Sequence, residues 1–413
     1  MNLRPFLAAL ALLPTLSCAT TSSLVAPVGI APNGRHFVDG RGKPLFWMGD
    51  TQWELFRAFP EEEARAILDD RRKKGFNVLQ VMILGVHGMK KANAAGEKPF
   101  LNGDVSAPNE AYFAAADRIV KHAERLGQIL VVGVYHKSPD TGPPLTLETA
   151  RRWGAWVGRR YREAPNVIWS MYPEAKAASL PIVREIAAGL AEGDGGRHLL
   201  TAHPDPAPAS SSWIHDEPWL SFNTLQSFKS DFLNYRMVAA DVARTPVKVV
   251  VNGEARYEEE GGTTPLQVRR GAWWSVLAGG FYTYGHGGNW QKPGEWKRWI
   301  GAPGAGQMTI LRDFFESLSW WTLTSDPSIL VEAADGVVAA RAADHSWTVV
   351  YYPSRGSATL SRSVVSLASE VSWMNPAGGA TQPAGPGPSF IPPDGWDDAV
   401  LLLRARNQAD FLH

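Results

Sequence analysis

Eight short apolar segments, each rich in β-branched or aromatic residues, alternate along most of the chain with segments of helical periodicity. Apolar strands interleaved with helices are typical of a parallel sheet that is covered on both faces. Eight such units favour an α/β fold closed into a (β/α)8 TIM barrel over an open doubly wound sheet. No glycine-rich dinucleotide fingerprint follows the first segment, which argues further against a Rossmann fold. The predicted strands cover residues 44–51, 77–84, 128–136, 166–174, 198–204, 219–227, 247–257 and 280–287.

The pattern changes near residue 325, where short strands separated by Pro and Gly turns replace the alternation. Such strands without helical periodicity predict a small C-terminal β-sandwich. We find no binding motif in this module and expect it to pack on the barrel. The predicted organisation is a signal at residues 1–18, a linker at 19–33, a barrel at 34–325 and a sandwich at 326–413.

The first residues have the pattern of an export signal. Arg4 is followed by an apolar run at residues 5–16 that is too short to span a bilayer as a helix. Cys18, the single cysteine of the chain, comes directly after this run. Lipidation of Cys18, as in bacterial lipoproteins, and ordinary cleavage nearby both fit. We therefore expect an exported protein, either periplasmic or held at the outer membrane by lipid on Cys18, which is the only membrane contact expected.

Composition limits the class of partner. Lys plus Arg and Asp plus Glu number 41 each, so no strong field of one sign favours nucleic acid or anionic lipid. The chain has 17 Trp, whose flat apolar rings with a polar edge also suit the C–H faces of sugars. Many of these rings must belong to the core, and those near strand ends are the better carbohydrate candidates. A monomer that binds an oligosaccharide or polysaccharide is expected.

In barrels of this type the site is assembled from residues at the carboxyl ends of the strands. The predicted strand ends carry a polar and aromatic set on otherwise apolar segments. The expected catalytic pair is Glu174 and Glu254. The expected substrate-binding residues are Asp50, Trp53, Gln80, His136, His203, Gln226, Tyr257, Tyr284 and His286.

The two glutamates end the fourth and seventh predicted strands, which face each other across the barrel mouth. A carboxylate at the end of a buried strand is costly unless it is hydrogen-bonded or used. Glycosidases need one carboxylic acid to protonate the leaving oxygen and a second carboxylate at the anomeric carbon. The alternatives are a solvated loop glutamate for Glu254 and a helix N-terminal carboxylate for Glu174. Gly253 leaves room for close approach, and Tyr257 is positioned in sequence to donate a hydrogen bond to Glu254.

Other chemistries have weaker signals. Three strand-end histidines are present, yet no His-x-His or His-Glu-x-x-His spacing accompanies them, so no metal site is predicted. No Gly-x-Ser-x-Gly elbow supports a serine hydrolase. The acidic run at residues 258–260 is interpreted as a solvated loop. No cofactor is expected.

Further motifs carry a resemblance to a known family. The chain resembles the apiosidase-like glycoside hydrolases, once a domain of unknown function, in which a collagen-binding-type module follows the barrel. The resemblance extends from residue 28 to about residue 325. The matching residues are Gly49-Asp50-Thr51, Trp53, Gly75-Phe76-Asn77-Val78, Gln80, Pro165-Asn166-Val167-Ile168-Trp169, His203-Pro204, Phe222-Asn223, Gln226, Asn252-Gly253-Glu254, Tyr257, Arg269-Arg270, Ala278-Gly279-Gly280, Tyr284-Gly285, Phe314-Phe315 and Trp320-Trp321.

The resemblance implies a retaining barrel enzyme whose nucleophile lies on strand seven, at Glu254. In this family the acid/base usually belongs to a Gly-Gly-Asp at the end of strand four. This chain has Tyr172-Pro173-Glu174 there, so a carboxylate is kept on a side chain one methylene longer, without the glycines. The departure leaves the substrate open.

The leading interpretation is a retaining glycoside hydrolase with Glu254 as nucleophile and Glu174 as acid/base. Its expected substrates are plant or microbial polysaccharide fragments, with apiose-type side chains among the candidates. One alternative is a barrel that has lost catalysis and only binds glycan. Another is a transglycosylase that uses the same residues with a sugar as acceptor.

Overall fold

The computed structural model describes residues 25–86, 91–136, 145–206, 209–228 and 231–405 of the 413-residue chain. Its centre is an eight-stranded sheet in which all neighbouring strands run parallel. The predicted barrel is confirmed. In chain order its strands are Met48–Thr51, Val78–Met82, Ile129–Gly133, Val167–Ala175, Leu200–Pro204, Asn223–Gln226, Val250–Glu254 and Phe281–Tyr284.

The sheet closes between the fifth and sixth strands. The Ser221 amide donates to the Leu200 carbonyl at 2.8 Å. The hydroxyls of Thr201 and Thr224 are hydrogen-bonded at 2.8 Å. Because these contacts join the two ends of the ladder, the carboxyl ends of all eight strands form a ring.

Seven helices of ten or more residues surround the barrel in the described part of the chain. Several begin at side-chain caps, including capping boxes at Thr146 and Thr264, which satisfy free amides of the first turn. The long helices are Glu61–Lys73, Glu110–Arg125, Leu147–Tyr161, Leu180–Asp194, Leu233–Val242, Pro265–Leu277 and Pro303–Glu316. Short α-helices are Ser211–Ile214, Gly288–Gln291, Trp296–Trp299 and Arg362–Val365, and 3₁₀ turns are Leu101–Gly103, Ala177–Ser179, Glu260–Gly262, Pro293–Glu295, Trp320–Thr322 and Pro327–Ile329. None of these helices combines the length and apolarity needed to cross a membrane.

A small antiparallel sheet precedes the barrel and corrects two expectations. Its strands are Gly29–Ile30, Phe37–Val38 and Pro44–Leu45. The predicted first strand, 44–51, is therefore split, and only Met48–Thr51 belongs to the barrel. The expected linker, 19–33, likewise contains a paired strand. The predicted signal and Cys18 lie outside the described residues.

This antiparallel sheet covers the amino-terminal end of the barrel. Phe37 is fully buried there. Its ring is stacked against Trp47 with centroids 4.9 Å apart and meets Phe222 edge-on at 5.1 Å. Because Phe37 and the rings around it fill the amino-terminal end of the barrel, ligand access to the barrel interior is expected only from the carboxyl ends of the strands.

The C-terminal region forms two antiparallel sheets, as the turn-rich pattern predicts. The larger sheet has the spatial order Leu323–Ser325, Val338–Ala342, Trp347–Tyr352, Ala399–Ala405, Ala368–Met374 and Thr381–Pro383. The smaller sheet has the order Leu330–Ala333, Ala358–Leu360 and Ser389–Phe390. Trp373 packs edge-on against Tyr352 and Phe390 in a core of their own.

The C-terminal unit packs on the barrel helix Pro265–Leu277. The Arg269 guanidinium pairs with the Asp398 carboxylate at 2.5 Å, and both side chains are buried. The Tyr351 hydroxyl donates to Asp398 at 2.8 Å, and its ring is stacked on Trp273 with centroids 5.7 Å apart. Burial and the negative charge of Asp398 raise the pKa of Tyr351 well above its ordinary value, so the phenol stays a donor. The helix Pro265–Leu277, which these contacts hold against the C-terminal unit, follows the strand that ends in Glu254.

Candidate active site

A pocket of about 210 Å³ opens at the carboxyl ends of the barrel strands. Residues from all eight strand ends or the loops after them contribute to it. The lining residues are Trp53, Met82, Val86, His136, Glu174, His203, Pro206, Gln226, Phe228, Glu254, Tyr257, Glu260 and Trp290. The structure thus brings the expected catalytic pair to one pocket, together with five of the nine expected binding residues.

Glu254 is the last residue of the seventh strand, Val250–Glu254. Its side chain is 14% exposed, and Oε2 lies 3.2 Å from Nε2 of His203. Its carbonyl accepts from the Ser227 amide at 2.8 Å, which fixes the strand end against the sixth strand. Glu254 is therefore a carboxylate that is held mostly out of solvent but still reaches the pocket, which excludes a fully solvated loop position.

The residue before Glu254 has no room for a side chain. A Cβ at Gly253 would lie 2.6 Å from the Thr224 methyl group and 3.3 Å from Oε1 of Gln80. The Gln80 amide donates to the Gly253 carbonyl at 3.1 Å. Gln80 therefore fixes the backbone beside Glu254 and does not line the pocket, contrary to its expected role as a direct substrate ligand.

Tyr257 and Trp53 form a buried pair beside Glu254. The Trp53 indole N–H donates to the Tyr257 hydroxyl at 2.9 Å. Burial and the neighbouring charge of Glu254 raise the pKa of Tyr257 well above its ordinary value. Because the phenol keeps its proton, it is a donor toward Glu254, as its sequence position predicts. With Met82 the two rings form a small apolar cluster in the pocket wall.

Glu174 lies in an irregular part of the fourth strand, where the pairing register shifts between Met171 and Ala175. Its φ of 61° is in the left-handed region, which glycine adopts at little cost and other residues rarely do. The side chain is 46% exposed, and Oε2 lies 3.6 Å from Nε2 of the buried His136. Unusual backbone at a pocket is a common mark of a functional position.

Two further buried side chains present polar atoms to the pocket. His203 is 1% exposed, and neither ring nitrogen makes a well-aligned hydrogen bond within the described residues. Gln226 is 4% exposed, and its Oε1 likewise has no partner among them. Buried polar groups are normally satisfied, so these atoms are ready partners for a polar ligand.

The acidic run at 258–260 is not a solvated loop, which corrects that interpretation. Glu258 is 1% exposed and accepts hydrogen bonds from the Tyr284 hydroxyl at 2.6 Å and the Gly304 amide at 3.1 Å. Glu259 is exposed. Glu260 is half-buried, lines the pocket, and accepts from the Gln291 amide at 3.2 Å. Burial, together with the charge of Glu254, raises the pKa of Glu260.

Glu260 and Trp290 are pocket residues that the sequence analysis missed. Trp290 hydrogen-bonds the Glu260 carboxyl, which opposes the rise of its pKa. The available signal for Trp290 was a tryptophan in the glycine-rich segment after strand eight, at Gly287-Gly288-Asn289-Trp290. Nothing in an acidic run distinguishes the residues that turn inward from the one that is exposed.

Three expected binding residues lie outside this pocket, together with Gln80. Asp50 is fully buried and accepts from Nε of Arg71 at 2.6 Å and from the Gln52 amide at 2.7 Å. Burial raises the pKa of Asp50, and the Arg71 charge opposes that rise. Tyr284 is buried against Glu258. His286 lines a separate neighbouring cavity of about 220 Å³, and burial lowers its pKa.

Within the described ranges, no three His, Cys, Asp or Glu side chains are grouped closely enough to hold a metal ion. His136 and His203 each face a different glutamate of the pocket.

Comparison with known proteins identifies the family and the fold of the chain. A family model described as "Apiosidase-like, catalytic domain" matches residues 31–322. A solved glycoside hydrolase shares 24% identity and a TM-score of 0.80, covering 93% of this chain and 97% of that one. A glycoside hydrolase family 5 crystal structure from Bacteroides vulgatus shares 23% identity and a TM-score of 0.83, covering 93% and 95%. No curated protein matches the sequence closely enough to count as a relative.

Proposed function

Because the chain belongs to the apiosidase-like glycoside hydrolase family, we propose that it hydrolyses glycosidic bonds with retention of anomeric configuration. Glu254 is the proposed nucleophile and Glu174 the proposed acid/base. The observation that carries this proposal is that both carboxyl groups, 80 residues apart in sequence, line one pocket at the carboxyl ends of the strands.

The environments of the two carboxyl groups suit these roles. Glu254 is the more enclosed, at 14% side-chain exposure, between His203 and Tyr257. The carboxylate form of Glu254 is the one that attacks carbon, and the Tyr257 hydroxyl beside it is a hydrogen-bond donor that orients the carboxylate. Glu174 is 46% exposed and so has the access to water that an acid/base requires when it deprotonates the second nucleophile.

The reaction then proceeds in two displacements. The Glu254 carboxylate forms a bond to the anomeric carbon as the glycosidic C–O bond breaks, and Glu174 transfers its proton to the leaving oxygen. Water next donates a proton to Glu174, and its oxygen attacks the same carbon as the bond to Glu254 breaks. The products are the free sugar and an enzyme with both groups in their initial protonation states.

Substrate contacts fit a carbohydrate. The cluster of Trp53, Met82 and Tyr257 offers an apolar face, and Gln226 and His203 offer buried polar atoms beside Glu254. Apolar walls with a few placed polar groups are the usual construction of a ligand site. We propose plant or microbial polysaccharide fragments as substrates, apiose-type side chains among them.

Azide rescue tests the role of each glutamate. Activity is first sought on a panel of defined oligosaccharides. In Glu254→Ala, turnover of an activated aryl glycoside should fall by roughly 10³-fold or more and return with azide as a glycosyl azide of inverted configuration. In Glu174→Ala, azide should instead yield a glycosyl azide of retained configuration. Glu332→Gln, an exposed glutamate of the C-terminal unit, is the matched control and should behave as wild type.

The alternatives predict other outcomes. Cleavage with inversion from the wild type would require the inverting two-carboxylate mechanism instead. No cleavage across the panel, with equal glycan binding by wild type and Glu254→Gln, would favour a barrel that only binds glycan. Products lengthened by a sugar acceptor, seen by mass spectrometry, would favour transglycosylation.

We also propose that the protein is exported, with lipid on Cys18 as one route to membrane attachment. The proposal rests on the charged start, the short apolar run and the position of Cys18 in the sequence. Palmitate labelling of wild type but not of Cys18→Ser would support lipidation, and labelling of neither would support ordinary cleavage.

A further inference from the structure

The largest of the cavities described lies at the other end of the barrel. Its volume is about 410 Å³, within the range of about 300–1,000 Å³ common for ligand pockets. It lies between the amino ends of the seventh and eighth strands, the antiparallel sheet before the barrel and the strand Leu323–Ser325. Because the barrel interior is filled, this cavity is separate from the pocket that holds Glu254.

The charged side chains that line this amino-end cavity are both basic, and Asp216, outside the lining, is a nearby carboxylate of Lys248. Arg35 and Lys248 line it, and no Asp or Glu is among the described residues that do so. Arg35 is exposed. The Lys248 ammonium donates to the Leu220 carbonyl at 2.6 Å, and an ammonium has three N–H donors in all. In a protein whose overall charge is balanced, two cations without a lining carboxylate favour an anionic ligand.

One wall of the cavity is aromatic, and part of this wall is exposed to solvent. Trp321 is 44% exposed, an unusual position for so large an apolar side chain, and meets the buried Trp320 edge-on. His36 contacts Trp320 edge-on from the other side, with centroids 5.9 Å apart. His36 is 8% exposed, and its Nδ1 is buried without a hydrogen-bond partner within the described residues.

We propose that this amino-end cavity is a second carbohydrate site, which binds an oligosaccharide bearing a carboxylate, a uronic acid segment, away from the catalytic pocket. Trp321 supplies the flat face for the C–H side of a sugar ring. Arg35 and Lys248 bind the carboxylate, for which a guanidinium offers a bidentate fork. Nδ1 of His36 binds a ring hydroxyl.

Calorimetric titration with an oligoglucuronan and with its carboxyl-reduced, neutral form tests the proposal. The acidic oligomer should bind wild type at least tenfold more tightly than the neutral one. Trp321→Ala should weaken binding of the acidic oligomer at least tenfold, and Arg35→Met should remove most of the preference for it. Arg362→Met, an exposed arginine elsewhere on the C-terminal unit, is the matched control and should bind as wild type.

Repeating the titration in Glu254→Gln separates this site from the proposed function, since binding at the amino-end cavity should persist there whether or not the enzyme cleaves glycans. Thermal melts verify that the surface variants are folded. Absence of binding, binding unchanged in both Trp321→Ala and Arg35→Met, or equal competition by inorganic phosphate would overturn the proposal.

Discussion

Nε2 of His203 lies 3.2 Å from Oε2 of Glu254, and the imidazole is 1% exposed. His203 is the next-to-last residue of the fifth strand and Glu254 the last of the seventh, so the barrel, rather than local sequence, sets this distance. The ring also meets Trp53 edge-on, with centroids 5.4 Å apart. His203 is thereby placed to orient the proposed nucleophile.

Replacing His203 with alanine should lower kcat by roughly 10- to 100-fold, because the Glu254 carboxylate loses the imidazole that contacts it at 3.2 Å, and each loss of about 1.4 kcal/mol in transition-state stabilisation lowers the rate tenfold. KM should change less, because the contact is to the enzyme's own carboxylate. Steady-state kinetics on the best substrate measure both constants. His345→Ala, an exposed histidine of the C-terminal unit, is the control. A loss confined to KM would mean that His203 contacts only the substrate and does not orient Glu254.

Glu260→Gln separates two candidates for the proton donor. If Glu174 is the acid/base, the variant should keep activity within about tenfold of wild type, whereas loss of a general acid costs roughly 10²–10⁴-fold. Parallel kinetics of Glu174→Gln and Glu260→Gln, with leaving groups of different basicity, measure this. If only Glu260→Gln loses activity on substrates with poor leaving groups, the acid is Glu260.

The same variant should change the pH dependence of stability. The pKa of Glu260 is raised in the folded protein, chiefly by burial. The folded state therefore holds this proton to higher pH than the unfolded chain, so Glu260 costs stability as the pH rises above the unfolded value. Glu260→Gln should raise Tm at pH 7 and leave Tm nearly unchanged at pH 4. An equal shift at both pH values would contradict the assignment.

Asp50→Ala should destabilise the barrel by about 3–5 kcal/mol, because it removes the buried counter-charge of the fully buried Arg71 guanidinium and leaves only the partly exposed Asp70. Urea unfolding measures the change, and Asp313→Ala, an exposed aspartate on a barrel helix, is the control. Asp50 matches the family motif but lies outside the pocket. The variant should therefore lose stability but keep its substrate affinity at temperatures where it is folded. A normal unfolding midpoint with lost substrate affinity would restore Asp50 as a ligand.

Asp398→Ala should weaken the contact between the C-terminal unit and the barrel, leaving Arg269 and Tyr351 without their shared acceptor. We expect a loss of about 3–5 kcal/mol and, if the units then separate, two transitions in a calorimetric melt in place of one. Asp397→Ala changes the exposed neighbour and is the control. A single unshifted transition would show that apolar packing alone joins the units.

The barrel and the meeting of Glu174 and Glu254 at its mouth could be predicted because strand alternation and strand-end carboxylates are local patterns. Glu174 and Glu254 reach one pocket since the eight strands close. Which strand-end residues line the pocket and which only support the barrel could not be predicted, because Asp50 and Gln80 also follow the strand-end pattern. Their partners, Arg71 and the Gly253 carbonyl, come from other elements and are visible only in three dimensions.

Irregular backbone limited the prediction in the same way. The sequence of the strand expected at 44–51 shows no break, yet its residues belong to two sheets. Pro44–Leu45 pairs with Phe37–Val38 in the antiparallel sheet, and only Met48–Thr51 belongs to the barrel. Glu260 enters the pocket within a 3₁₀ turn that follows Glu259, whose φ is 64°. Such turns reverse which neighbours face inward, and periodicity does not report them.

The tight surroundings of Gly253 bear on how this enzyme could be re-engineered. A methyl group there would collide with the Thr224 methyl group, so alanine at 253 must displace either the Thr224 side chain or the strand that carries Glu254. Libraries aimed at a new sugar preference should therefore leave this position unchanged and vary the rim, at Met82, Phe228 and Trp290, where side chains border open space.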